Sequence, residues 1–298
     1  MRIIENQYLF FIMVLIFFIV CAIIIFSKIQ ESFRTHSVIE NISYDVESPY
    51  QRIEVSTIKA PSKIGKCMIL GNEVQLCSKD EHKYHELMVH FPIYYLDSFQ
   101  TALIVGGGDL MNLREIMKYE TLKKVVLLEL DQEVVNTAVD HFGVKRYEND
   151  PRVHIIYGDA AENIELIGNT PMDLVILDLT EDLDNNVPVG KVDFILRCKS
   201  MMSENGVFVM NGRSNEKKLK NIFKYAFRYG CYLKTFEEYY EFVICSDVHN
   251  FPAIEKKSTW WKDDITTRFY KRRKHAKYFN WYSVSENTTL DEHLYLLP

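Results

Sequence analysis

The chain has 298 residues, 47% hydrophobic and 26% charged, which is enough apolar material for one sizeable core, with or without a small accessory domain, and excludes general disorder. A net charge of −6 offers no basic face to neutralise phosphates, so nucleic acid is not an expected partner. Cys21, Cys67, Cys77, Cys198, Cys231 and Cys245 lie far apart, without a CxxC pair or a nearby His at zinc spacing, and they read as thiols, not a disulfide frame.

Residues 1–30 are read as an N-terminal transmembrane anchor. The stretch 8–26 is nineteen residues without a charge, and as a helix it would span about 28 Å, the depth of a bilayer core. Bulky Ile23, Ile24, Ile25 and Phe26 run straight into Lys28, with no small-residue cleavage site. Counting Arg2 before the segment against Lys28 and Arg34 after it places the C-terminal portion in the cytosol, giving a single-pass membrane protein.

Residues 31–47 are polar and lack clear periodicity, and are expected to form a linker. A small β domain is expected over 48–98, where 51–58 and 66–76 alternate around the turn residues Pro61, Gly65, Gly71 and Asn72. From residue 99 to 250 apolar strands alternate with amphipathic helices, which predicts a doubly wound parallel sheet. The strands are expected at 102–105, 124–130, 153–157, 173–177 and 206–210, with a closing antiparallel pair at 231–236 and 241–245. Helices are expected at 110–118, 132–141, 192–202 and 215–228. Residues 251–298, with Trp260, Trp261 and the basic run 271–274, read as an ordered tail whose aromatics pack on the domain.

Gly106, Gly107, Gly108 and Asp109 follow the first parallel strand at once and open a helix. Glycines there let the backbone turn tightly and approach a ligand, while the helix start offers free amides. Glu129 ends the next strand about twenty residues later, where an acid can accept both hydroxyls of a ribose, with Asp131 as the nearby competitor. Asp159 ends the third strand, suited to an adenine amino group, and Asp178 ends the fourth. Each alone is equally an ordinary helix-capping acid. Together they line the crevice where open parallel sheets bind ligands.

Over roughly 48–247 the chain resembles the spermidine and spermine synthases. The matching stretches are Ser48-Pro49-Tyr50-Gln51, Lys79-Asp80-Glu81 with Tyr84-His85-Glu86, Gly106 to Asp109 with Arg114-Glu115, Glu129-Leu130-Asp131 and Gly158-Asp159, in matching order and spacing. The resemblance implies a Rossmann-like class I S-adenosylmethionine-dependent transferase fold and suggests a homodimer. It implies that Gln51, Glu129 and Asp159 hold a nucleoside, with Gly106, Gly108 and Asp109 near the sulfonium. Asp178 matches the catalytic acid, and Tyr84, His85 and Glu181 would line the pocket for a small-molecule amine or other acceptor. No metal is expected, because the departing thioether is neutral.

Three departures bear on substrate. Leu110 and Met111 stand where the family has two further glycines, which predicts crowding near the cofactor tail. The loop after Asp178 keeps its first acid, replaces the second by Glu181 and loses the rest. A Tyr-Pro-Ser-Gly segment before the last strand is missing, leaving residues 237–240 between the final strands. The implied function is aminopropyl transfer from decarboxylated S-adenosylmethionine to a polyamine. One alternative is methyl transfer from S-adenosylmethionine, with Arg213 or the helix start near Leu110 meeting a methionine carboxylate; the other is a catalytically inactive membrane-tethered relative.

Overall fold

The computed structural model describes residues 39–58, 64–179, 188–212, 216–251, 265–271 and 274–279. The 8–26 segment, Glu181, Arg213, Trp260 and Trp261 lie outside these residues.

The first sheet is an antiparallel meander of β1 (Ile39–Glu47), β2 (Arg52–Ile58), β3 (Gly65–Leu70) and β4 (Glu73–Cys77). The linker expected over 31–47 therefore ends earlier, because its last nine residues are β1. This is an edge strand with little apolar signal. Among its described side chains, at 41–47, only Tyr44 and Val46 turn partly inward, and the backbone ladder to β2 together with the Ser43 hydroxyl bond to the Val55 carbonyl hold it.

A tight turn at Gly71 and Asn72, both at positive φ, joins β3 to β4. Its register sets Cys67 opposite Cys77, and the two form a disulfide with Cα atoms 4.1 Å apart. The reading of all six cysteines as thiols is corrected here: residues ten apart in sequence become direct neighbours across a hairpin. Cys198, Cys231 and Cys245 are free and buried.

The larger sheet has seven strands in the order β10-β11-β9-β8-β5-β6-β7. Its parallel part comprises β5 (Thr101–Gly106), β6 (Lys124–Glu129), β7 (Val153–Tyr157), β8 (Met172–Asp178) and β9 (Met202–Asn211). The closing antiparallel pair is β10 (Tyr225–Leu233) and β11 (Glu238–Ser246). A helix expected over 215–228 is cut short after Leu219. Tyr225, Phe227 and Tyr229 alternate with smaller residues, and pairing with β11 prevails over local helical periodicity.

Residues alternate between the two faces of this sheet with period two. Ile104, Leu127, Ile176, Val209 and Ile244 face one cluster, which is covered by α1 (Glu81–Ile93), α2 (Met111–Ile116) and α3 (Gln132–Phe142). Leu103, Val126, Val175, Phe208 and Val243 face the other, beneath α4 (Ala160–Asn163) and α5 (Val192–Ser200). The first cluster also takes in Ile53 and Met68 of the meander, so α1 joins the small sheet to the large one through shared core.

Leu110 and Met111 are part of that cluster, 0% and 2% exposed. The expected crowding of the cofactor tail is thus corrected, since both side chains turn away into the core. Leu110 takes this position in a left-handed conformation, φ 61°, a backbone cost of about 1–2 kcal/mol for a side-chain-bearing residue that its complete burial offsets.

Candidate active site

β5, β6, β7 and β8 each end at the same rim of the parallel sheet, and the glycine turn after β5 lies between the ends of β6 and β8. A Cβ on Gly106, at φ +78°, would sit 2.1 Å from the Asp178 carbonyl oxygen; one on Gly108 would sit 2.7 Å from the Glu129 carboxyl. The turn is therefore a fitted surface against the two acids, and only glycine fits there.

Asp178 is gripped on both oxygens. The Tyr84 hydroxyl donates to Oδ1 at 2.5 Å and Asn112 Nδ2 donates to Oδ2 at 2.7 Å. Burial pushes its pKa up to about 6, the Asp109 carboxylate adds to the rise, and His85 and the Tyr84 bond oppose it. Such a carboxyl is poised to exchange a proton near neutral pH.

His85 Nε2 lies 3.2 Å from Asp109 Oδ2, and its Nδ1 faces the Glu81 carbonyl at 2.7 Å and carboxylate at 3.1 Å. Burial lowers its pKa, but Asp109 and Glu81 outweigh burial and raise it to about 10, so His85 is an imidazolium. Burial likewise raises Asp109, but His85 more than reverses this and leaves it below the usual carboxylate range. Donor atoms of His85, Asp109 and Asp178 lie within 4.8 Å of one another, close enough to share a cation; the charged imidazole already occupies that role.

Behind them a chain of ion pairs and hydrogen bonds locks α1 to α2. Arg114 bonds Glu81 at 2.9 Å and Glu115 at 2.9 Å, and Glu115 reaches His90 Nε2 at 2.8 Å. Asp109 also accepts from the Met111 amide, at the first residue of α2, at 2.7 Å.

At the end of β6, burial raises Glu129 to about 7, helped by Asp131 and Asp109 and opposed by the Asp131 and Gly108 amides. Asp131, the competitor, is a capping acid: it accepts from the Glu133 amide at 3.0 Å and from the Ser48 hydroxyl at 2.6 Å. The latter bond holds the turn that carries half-buried Gln51 against the larger sheet. Asp159 caps α4 through the Ala161 amide at 2.8 Å. The structure thus brings Asp109, Asp178, Tyr84, His85, Gly106, Gly108 and Glu129 together, with Gln51 and Asp159 on neighbouring turns. Glu181 lies outside the described residues.

Residues 81–264 match the family described as the spermine/spermidine synthase domain, more than half of the 298 residues. This chain belongs to the spermine/spermidine synthase family. Polyamine aminopropyltransferase 2 of Caldanaerobacter subterraneus subsp. tengcongensis is 30% identical over 72% of this chain and 75% of its own length. The polyamine aminopropyltransferase of Aeropyrum pernix is 29% identical over 70% of each. The spermidine synthase of Thermotoga maritima shares the fold at a TM-score of 0.69 and 22% identity, covering 81% of this chain and 85% of that one. A spermidine synthase in complex with the transition state analogue AdoDATO superposes equally well, with the same TM-score of 0.69.

Two features of this spermine/spermidine synthase site escaped sequence reasoning. Asn112 stands between Met111 and Leu113, and the only hint was a polar residue in an otherwise apolar turn of helix. Tyr240, read as part of a loop, lies on β11 with its ring 5.3 Å from that of Tyr84.

Proposed function

We propose that the chain transfers an aminopropyl group from decarboxylated S-adenosylmethionine to a polyamine, with Asp178 as general base. The observation that carries this reading is Asp178, held by a hydrogen bond on each oxygen beside the glycine turn that closes on Glu129. Glu129, Gln51 and Asp159 would hold the nucleoside, and Asp109 with the glycine turn the sulfonium end. The co-substrate supplies a carbon beside a positive sulfur and a neutral thioether as leaving group.

Asp178 then orients the attacking amine and takes the proton released as the new C–N bond forms and the C–S bond breaks. Tyr84 holds the base, while His85 neutralises Asp109 so that the two acids can sit close together. The acids Asp109 and Asp178, with Glu181 following closely in sequence, suit a polycationic acceptor. The segment 8–26 would tether the enzyme to a membrane, with its catalytic part in the cytosol.

The test is to incubate the full-length chain with decarboxylated S-adenosylmethionine and either putrescine or spermidine, with mass spectrometry of the products. An aminopropyl mass gain, lost by about a thousandfold or more in Asp178→Asn while methylthioadenosine still binds, is the expected result. Methyl gain from S-adenosylmethionine would replace this reading by methyl transfer. Binding without turnover of either kind would leave the inactive tethered relative.

A further inference from the structure

Asn112 is fully buried on α2, yet it stands apart from the apolar face that Leu110, Leu113 and Ile116 turn to the core. Its Nδ2 donates to Asp178 Oδ2 at 2.7 Å, and its buried Oδ1 has no hydrogen-bond partner. An orphaned amide oxygen is a destabilising choice that an apolar side chain would avoid, and such a group calls for an explanation beyond packing.

We propose that Asn112 is the positioning residue of Asp178, locking the carboxylate plane from the α2 side while Tyr84 holds the other oxygen, in the orientation that receives the amine's proton. This rests on the transfer reaction proposed above. With one hydrogen bond on each oxygen, each oxygen keeps a free lone pair, so the carboxylate can accept a proton without either holder letting go. A half-turn of the amide presents Oδ1 to a proton on Oδ2, so the same side chain serves both protonation states of the base.

Among the described residues, the titratable groups around Asp178 are Tyr84 and His85 of α1, Asp109 of the glycine turn and Tyr240 of β11. Asp109 disfavours the anion, whereas His85 and the Tyr84 bond favour it. An N–H donor on Oδ2 also favours the anion, so its removal raises the pH at which Asp178 ionises.

The variant Asn112→Leu, close in volume, tests this. The acidic limb of the kcat profile is expected to move up by about one pH unit. Turnover near neutrality falls accordingly and recovers in alkaline buffer, and methylthioadenosine affinity is unchanged. Equal loss at every pH would indicate mere packing and overturn the proposal. Should that variant not fold, Asn112→Asp sets a second carboxylate against Oδ2 and is expected to move the limb further upward.

Carbon-13 NMR of the Asp178 carboxyl, identified by its disappearance in Asp178→Asn, reads the same shift without any substrate. A wild-type chain that transfers no aminopropyl group overturns the reaction reading. An Asp178 resonance that titrates alike in wild type and both variants overturns the role of Asn112.

Discussion

Glu129 is a buried carboxyl whose burial weakens the fold as it ionises, at the position proposed to hold a nucleoside. In the folded chain it titrates near 7, against an ordinary value of 4.5, so between those limits the folded state binds the extra proton and stability falls as pH rises. Asp178, raised to about 6 from 3.8, acts in the same direction. Glu81 and Glu115, pulled down to about 2, act oppositely, and their contribution is lost only as pH falls below about 4.5. The variant Glu129→Gln is therefore expected to stabilise the free protein by about 1–3 kcal/mol above neutrality and to flatten its loss between weakly acidic and neutral pH. The same change should weaken methylthioadenosine binding at least about tenfold. Thermal melts across that range, with and without methylthioadenosine, check both effects; a variant matching wild type in both would remove Glu129 from the site. Glu129 was legible in the sequence because an acid closing an apolar strand is conspicuous. Its difference from Asp131 was not, since burial and capping arise only once the Gly108 turn and Ser48 close over them.

At the scale of elements, α1 is held from both sides, and this is what fixes Tyr84 and His85. Buried Glu86 accepts three backbone amides of the C-terminal segment, from Arg268 at 2.6 Å and from Phe269 and Tyr270 at 2.7 Å each. Further along, His275 stacks between Phe91 and Tyr94, with ring centroids 4.2 and 3.9 Å away, and bonds the Tyr95 and Tyr270 hydroxyls. The aromatic tail expected from the sequence thus packs on the domain where it is described, but the anchor at its centre is a carboxylate. Glu86→Gln leaves one acceptor oxygen and places an amide donor against backbone donors. It is expected to cost about 2–4 kcal/mol and to speed hydrogen exchange of the 268–270 amides well before global unfolding; unchanged protection there would mean that the tail is held by its rings alone. The parallel strands were legible because each is a short apolar run closed by an acid or glycine. The first half of β10 was not, because the pairing that draws residues 225–230 out of the expected helix involves β11, which follows it in sequence.

At the scale of the whole molecule, the Cys67–Cys77 bridge and the cytosolic placement proposed for the catalytic part make opposing demands. A glutathione-buffered compartment keeps such thiols reduced, whereas an oxidising one keeps them joined. The bridge closes a loop of separation 10, for which chain-entropy loss in the unfolded state gives about 2–3 kcal/mol of stabilisation. Air-oxidised protein is therefore expected to melt several degrees above both the reduced protein and the Cys67→Ser/Cys77→Ser variant, which should coincide with each other. If reduced and oxidised forms melt together, the meander does not depend on its bridge, and its contacts with α1 and α3 hold it. Trapping thiols by alkylation in intact cells then reads the compartment. The cytosolic placement requires Cys67 and Cys77 to be alkylated before any reductant is added. A pair that resists until reduced would put the catalytic part on the oxidising side, with the small sheet stabilised in place by the same bridge.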